Sequence, residues 1–135
     1  MKRVIHVEDD FEFREIVRES LNKLVESGRL ELIQVGDQKS FLDLNFEADL
    51  YIFDRHLPRV EGGRVEDSVW RTLVGVVYEL YPNSKAILLS DNPPKDCDWR
   101  KHYRNIVEVM KKSDFNSKTF CSKIEDYLFG RGEIK

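Results

Sequence analysis

The sequence predicts an α/β fold: a doubly wound, five-stranded parallel sheet with about five helices packed on its two faces. Three observations carry that expectation. Short apolar runs alternate with amphipathic stretches along the whole chain; the runs are continuously apolar; and charged or hydroxyl residues stand directly after several of them. A strand buried on both faces reads as an unbroken apolar run, whereas a strand with one wet face alternates. Strand–helix alternation implies right-handed crossovers and a parallel sheet, whose ligands sit beyond the carboxyl ends of the strands.

Residues 4–7 read as a buried strand. Phe13, Ile16, Val17, Leu21 and Leu24 then recur at helical spacing, and Gly28 is placed to end that helix. Residues 30–35 form a second strand, turned by Gly36 and Asp37, and Phe41, Leu42 and Leu44 supply the apolar face of a short helix over 40–44. Residues 50–53 are a third strand. A loop over 57–63, with the pair Gly62-Gly63, leads to a helix whose wide apolar face is Val69, Trp70, Leu73, Val74, Val77 and Leu80, with Pro82 stopping it. Residues 86–89 and 106–110 are the fourth and fifth strands. Between them, 92–103 holds a short helix or mostly loop. Phe120, Ile124 and Leu128, four apart, mark the last helix, and Tyr127 adds to that face.

Composition narrows the class. The chain has 135 residues, 41% hydrophobic and 35% charged, which suits one folded domain over residues 1–130 with a short tail at 131–135. No apolar run approaches the roughly 20 residues a membrane helix needs, and the N-terminus lacks a signal-peptide pattern, so a cytoplasmic protein is expected. Cys97 and Cys121 are too few for a disulfide scaffold and read as free thiols. A net charge of −3 gives no footprint for direct nucleic-acid binding.

The residues just past each strand carry the chemistry. After the first come Glu8, Asp9 and Asp10; after the third, Asp54; after the fourth, Ser90 and Asp91; after the fifth, Lys111 and Lys112. Alone, an acid or serine after a strand usually serves a turn or a helix cap, and a lysine is usually a solvated side chain. Together, at one edge of a parallel sheet, they bring carboxylates, a hydroxyl and an amine to one place. Clustered carboxylates repel one another unless a cation neutralises them, and oxygen-only ligands select a hard ion such as Mg2+. Such a site suits phosphoryl transfer to Asp54 as a carboxylate nucleophile. His6, inside the first strand, reads as a packed histidine, and His102 as a surface one. Trp70 and Trp99 read as packing residues, with an exposed partner surface as the alternative for Trp99.

Four stretches, in order, resemble the receiver domains of response regulators: Val-Ile-His-Val-Glu-Asp-Asp at 4–10, Ala-Asp-Leu-Tyr-Ile-Phe-Asp-Arg-His-Leu-Pro at 48–58, Ala-Ile-Leu-Leu-Ser at 86–90 and Lys-Lys-Ser-Asp-Phe at 111–115. The resemblance spans essentially the whole chain. It implies a flavodoxin-like sheet of strand order 2-1-3-4-5 and a two-component switch. Asp54 then matches the phosphoacceptor, and Asp9 the direct acidic Mg2+ ligand. Glu8 matches the acidic ligand that acts through water or from the side, and the backbone carbonyl of His56 the third protein ligand. Ser90 matches the hydroxyl that moves with the phosphoryl group. Lys112, whose spacing from Ser90 fits better than that of Lys111, matches the amine. The partners implied are a sensor histidine kinase or phosphotransfer protein upstream and a protein target downstream. Dimer formation on phosphorylation is left open.

Departures accompany the resemblance. Ser113 follows Lys112 where the family often has proline. Val109 stands where many members have a switching aromatic, so an aromatic rotamer is not the expected readout. Asp91 replaces a small residue and sets a carboxylate near the phosphoryl position. The segment from Asp54 to Ser90 is longer than usual. Asp91 and Val109 favour a rival reading, a pseudo-receiver that docks partners without phosphorylation; the acidic cluster, Asp54, Ser90 and Lys112 oppose it. A haloacid-dehalogenase-type phosphatase needs a second aspartate where His56 stands. A flavin carrier needs a Ser/Thr/Gly-rich phosphate loop where Glu8-Asp9-Asp10 stands.

Overall fold

The computed structural model describes residues 1–91 and 103–130. In chain order the elements are β1 (Lys2–Val7), α1 (Phe11–Glu26), β2 (Leu30–Val35), α2 (Gln38–Leu44), β3 (Leu50–Phe53), β4 (Leu57–Pro58), β5 (Val65–Glu66), α3 (Ser68–Leu80), β6 (Lys85–Ser90), β7 (Ile106–Lys111), a 3-10 turn (Lys112–Asp114) and α4 (Ser117–Phe129). Five strands form one parallel sheet of order β2-β1-β3-β6-β7, and β4 pairs with β5 in a separate antiparallel hairpin. Relabelled by position in the main sheet, the order is the 2-1-3-4-5 expected. The short helix or loop expected over 92–103 lies almost wholly outside the described residues, as do Cys97, Trp99 and His102.

Period-2 alternation along the strands sorts the core into two layers. Val4, Leu50, Ile52, Ile87 and Leu89 face α1 and α4, meeting Val17, Leu21, Phe120 and Ile124. Ile5, Val7, Tyr51, Phe53 and Leu88 face the other way, onto Phe41, Val69, Trp70, Leu73 and Val77 of α2 and α3. Every residue of β3 is buried, as a strand covered on both faces must be, whereas β2, at the sheet edge, is mostly half-buried. Trp70 is a packing residue, 1% exposed. Cys121 is a half-buried free thiol.

Some expectations about faces need correction. Ile16, Leu42 and Leu80 are exposed although each sits near its helix's apolar stripe. On α1 and α3 the helical period carries Ile16 and Leu80 past the stripe that the sheet covers, which Val17, Leu21 and Val77 already fill. The loop over 57–63 is also more ordered than expected. It contains β4 and turns back through β5, with Gly62 at φ +74° and the Gly63 amide donating to the Val60 carbonyl at 3.0 Å.

Register sets the site. Val7 pairs with Val35 and Phe53, and Phe53 with Leu88, so β1, β2 and β3 end at one level while β6 runs two residues further, to Ser90. Between β6 and β7 the register slips by one residue after Ala86, which brings Lys111 opposite Ser90. The chain therefore leaves β7 one residue later than an unbroken ladder would dictate.

Candidate metal centre at the strand ends

Two backbone hydrogen bonds carry the sheet ladder just past its last strand residues: Glu8 N–H donates to the Val35 carbonyl at 2.9 Å, and Asp54 N–H to the Val7 carbonyl at 3.0 Å. Both side chains are thereby fixed at the carboxyl edge and both are buried, Glu8 at 0% and Asp54 at 4% exposure, while Asp9 is exposed. Glu8, Asp9 and Asp54 each present a carboxylate oxygen within 4.8 Å of the others. Asp10, the third acid of the run, does different work. Its Oδ1 accepts from the amides of Glu12 and Phe13, at 3.0 and 3.4 Å, and caps α1.

The Lys112 ammonium enters this acidic cluster. Its Nζ lies 2.7 Å from Glu8 Oε1 and 3.5 Å from Asp54 Oδ2, and 4.6 Å above the ring of Phe13. Lys111 is exposed. Burial alone would lower the Lys112 pKa, but contact with Glu8 and the charge of Asp54 outweigh it, and the pKa is raised. Burial and the facing Asp54 push Glu8 the other way for an acid, up to about 9, with Lys112 offsetting only part of the effect.

The remaining sequence-predicted residues fall nearby. Ser90 ends β6 fully buried. Asp91 is exposed, and its charge reaches the Lys112 ammonium. His56 is half-buried two residues past Asp54, and Arg55 beside it donates from its amide to Asp54 Oδ1 at 2.7 Å and from Nε to Asp67 at 2.6 Å. Val109 is half-buried and packs on the core layer under α2 and α3. The bond from Lys112 to Ser113 is trans, since the described residues contain no cis peptide.

Two features escaped sequence reasoning. One is the β4–β5 hairpin beside the site, although Val60 and Val65 flanking Gly62-Gly63 carry the turn signature that could have revealed it. The other is a partly buried polar cluster around the buried His6. The Gln34 side-chain amide donates to the Arg14 carbonyl at 2.8 Å and stands 3.0 Å from His6 Nδ1, leaving His6 Nε2 without a partner. Burial first, then the charges of Lys112 and Arg14, hold His6 down to about 3. Nothing in the sequence announces that cluster, because its three members are far apart along the chain.

The residues fit a hard divalent cation. The donors are all oxygen, one of them is a buried carboxylate whose ionisation is opposed by its neighbour, and a cation between them would remove that opposition. No protein-family model and no curated protein sequence matches the chain. Solved structures do. A CheY-like receiver domain from Methanospirillum hungatei has a TM-score of 0.74 at 20% identity, covering 100% of this chain and 99% of that one. The receiver domain of an HD-domain protein from Pseudomonas fluorescens also scores 0.74 at 20% identity, with 94% of each chain covered. The response regulator TrrA from Thermotoga maritima, in complex with Mg(2+)-BeF, scores 0.69 at 22% identity over 95% of this chain and 100% of that one. The sheet order, the strand-end acids and these likenesses agree: the chain has the fold of a response-regulator receiver domain.

Proposed function

We propose that the chain is a phosphoacceptor: Asp54 accepts a phosphoryl group in the presence of Mg2+, and the added charge switches a protein-interaction surface. The observation that carries this reading is the convergence of Glu8, Asp9 and Asp54 within 4.8 Å with the Lys112 ammonium set against two of them.

An Asp54 oxygen attacks phosphorus, the phosphorus bond to the donor's imidazole nitrogen or acyl oxygen breaks, and an acyl phosphate forms. A carboxylate attacks without a base to activate it. Asp9, Glu8, Asp54 and the His56 carbonyl are the groups that would hold Mg2+, which offsets the charge of the phosphoryl oxygens when bound. Lys112 is placed to leave Glu8 and follow a phosphoryl oxygen, and the Ser90 hydroxyl to move with it. Val109, small and already packed, offers no aromatic to rotate, so the readout runs through shifts of β7 and the elements packed on it. A histidine kinase or phosphotransfer protein is the donor proposed, and a protein the target; the chain itself turns over no external substrate.

The test is phosphorylation by acetyl phosphate. Wild type is expected to label on Asp54 only with Mg2+, Asp54→Asn to lose the label, and Lys112→Ala to keep it while losing the switched state. Label surviving in Asp54→Asn removes the assignment.

A further inference from the structure

A cleft of about 590 Å³ opens beside the acidic cluster, between the start of α1, the end of β2, α2 and the β4–β5 hairpin. Arg14 is the one cation among its described lining residues, which otherwise include the carboxylates of Asp9 and Glu61 and the hairpin glycines Gly62 and Gly63. Arg3, Arg55 and Arg59 each hold a carboxylate, at 2.5, 2.6 and 3.0 Å. Arg14 holds none among the described residues. Its Nε is buried with no hydrogen-bond partner, and a ring, that of Phe11, lies 5.5 Å from the guanidinium carbon. Asp37, in the same cleft, spends both oxygens on Ser40 at the start of α2. A buried donor left unpaired is costly, and natural structures rarely keep one without a use.

The guanidinium also borders the acidic cluster. A side-chain carbon built on Gly36 would stand 3.6 Å from Arg14 Nη1 and 3.7 Å from the Asp9 Cα, so both flank the same open point. The volume is that of a small-molecule site, and the hairpin supplies a wall that makes it concave.

We propose that Arg14 is a specificity-determining residue that binds the carboxyl end of a small acyl phosphate donor; the proposal rests on the phosphoacceptor reading of Asp54. An Asp54 oxygen forms the new bond to phosphorus as the bond between phosphorus and the acyl oxygen breaks. The electron pair of that bond leaves with the acyl oxygen, and a carboxylate departs with no proton transferred. The planar guanidinium matches the two oxygens of that carboxylate and gains most from it as the charge develops. A donor whose leaving group is a neutral amine gives Arg14 nothing to hold.

The experiment compares acetyl phosphate with phosphoramidate on the whole chain with Mg2+, measuring Asp54 labelling against donor concentration. Arg14→Gln is expected to lower the second-order rate constant for labelling by acetyl phosphate about tenfold, the worth of one charge-assisted hydrogen bond, and to leave that for phosphoramidate unchanged. Arg14→Lys keeps the charge but not the fork and is expected to fall between wild type and Arg14→Gln with acetyl phosphate alone. Equal losses with both donors, or none with either, overturn the assignment, since Arg14 then acts on the acidic cluster as a whole or not at all. Wild type labelled by neither donor overturns the phosphoacceptor reading as well, an outcome distinct from a wild type that labels with both.

Discussion

Glu8 is a carboxylate without exposed surface, 2.7 Å from one ammonium and facing a second carboxylate. Its pKa, pushed to about 9 by burial and then by Asp54, ties it to stability. Between its ordinary value near 4.5 and about 9, the folded chain keeps a proton that the unfolded chain has lost. The folded state binds more protons, so stability falls as pH rises. His6 acts with the opposite sign. With its pKa held down to about 3, it contributes stability that is complete above 6.5 and is lost as pH falls. The Glu8 effect is therefore clearest from pH 6.5 to 9. In Mg2+-free buffer, Glu8→Gln is expected to gain stability relative to wild type across that range, by up to about 1.4 kcal/mol per pH unit, in urea unfolding. A difference independent of pH removes the titration from Glu8. At this scale the sequence located Glu8, Asp9, Asp54, Ser90 and the lysine pair by their places after apolar runs. Both lysines follow the fifth strand, and only the family resemblance, through the spacing from Ser90, favoured Lys112 over Lys111. The one-residue slip between β6 and β7 decides which of them reaches Glu8, and a slip is set by cross-strand packing that no single strand's sequence records.

Among elements, α1 shows how a run of acids divides its labour. Asp10 stands next to Asp9 in sequence, yet its side chain turns back onto the amides of Glu12 and Phe13 and starts the helix. Asp10→Ala is expected to cost about 1 kcal/mol of stability, as loss of a helix cap does, and to leave Mg2+ affinity unchanged in a titration. Loss of Mg2+ response would place Asp10 in the ligand set instead. The helices themselves were readable to within a few residues because their stripes recur at the helical period. The exceptions were Ile16, Leu42 and Leu80, where a period says which residues share a face but not how wide a face the sheet covers. The hairpin was unread for a related reason. Strands of two residues, Leu57–Pro58 and Val65–Glu66, have no period, and their pairing is held by partners across the turn and by ion pairs such as Arg59–Glu66 at 3.0 Å.

Across the whole molecule, the strand-end acids make the fold and the site one thermodynamic system. Packing of the two core layers holds the cluster together against its own repulsion, so a cation bound there stabilises the folded chain alone. Adding Mg2+ at about 100 times its dissociation constant is expected to stabilise wild type by about 2.7 kcal/mol, seen as a rise in Tm. Asp9→Asn should flatten that response while folding normally, because Asp9 is exposed and no part of the core. A Tm indifferent to Mg2+ in wild type would remove the metal from the account.

What the sequence determined by itself was the layer architecture and the roster of strand-end residues. Unbroken apolar runs can be buried only between two helical layers, and residues after parallel strands must share one edge. What the tertiary structure decided was contact: which lysine meets Glu8, which acid of three turns away to cap a helix, how His6, Arg14 and Gln34 come together under the site, and how the hairpin walls the cleft. Periodicity is a local property and survives in a single sequence. Register, bulges and the pairing of distant polar groups are chosen by the energy of the whole packed interior, and they exist only once the chain has folded.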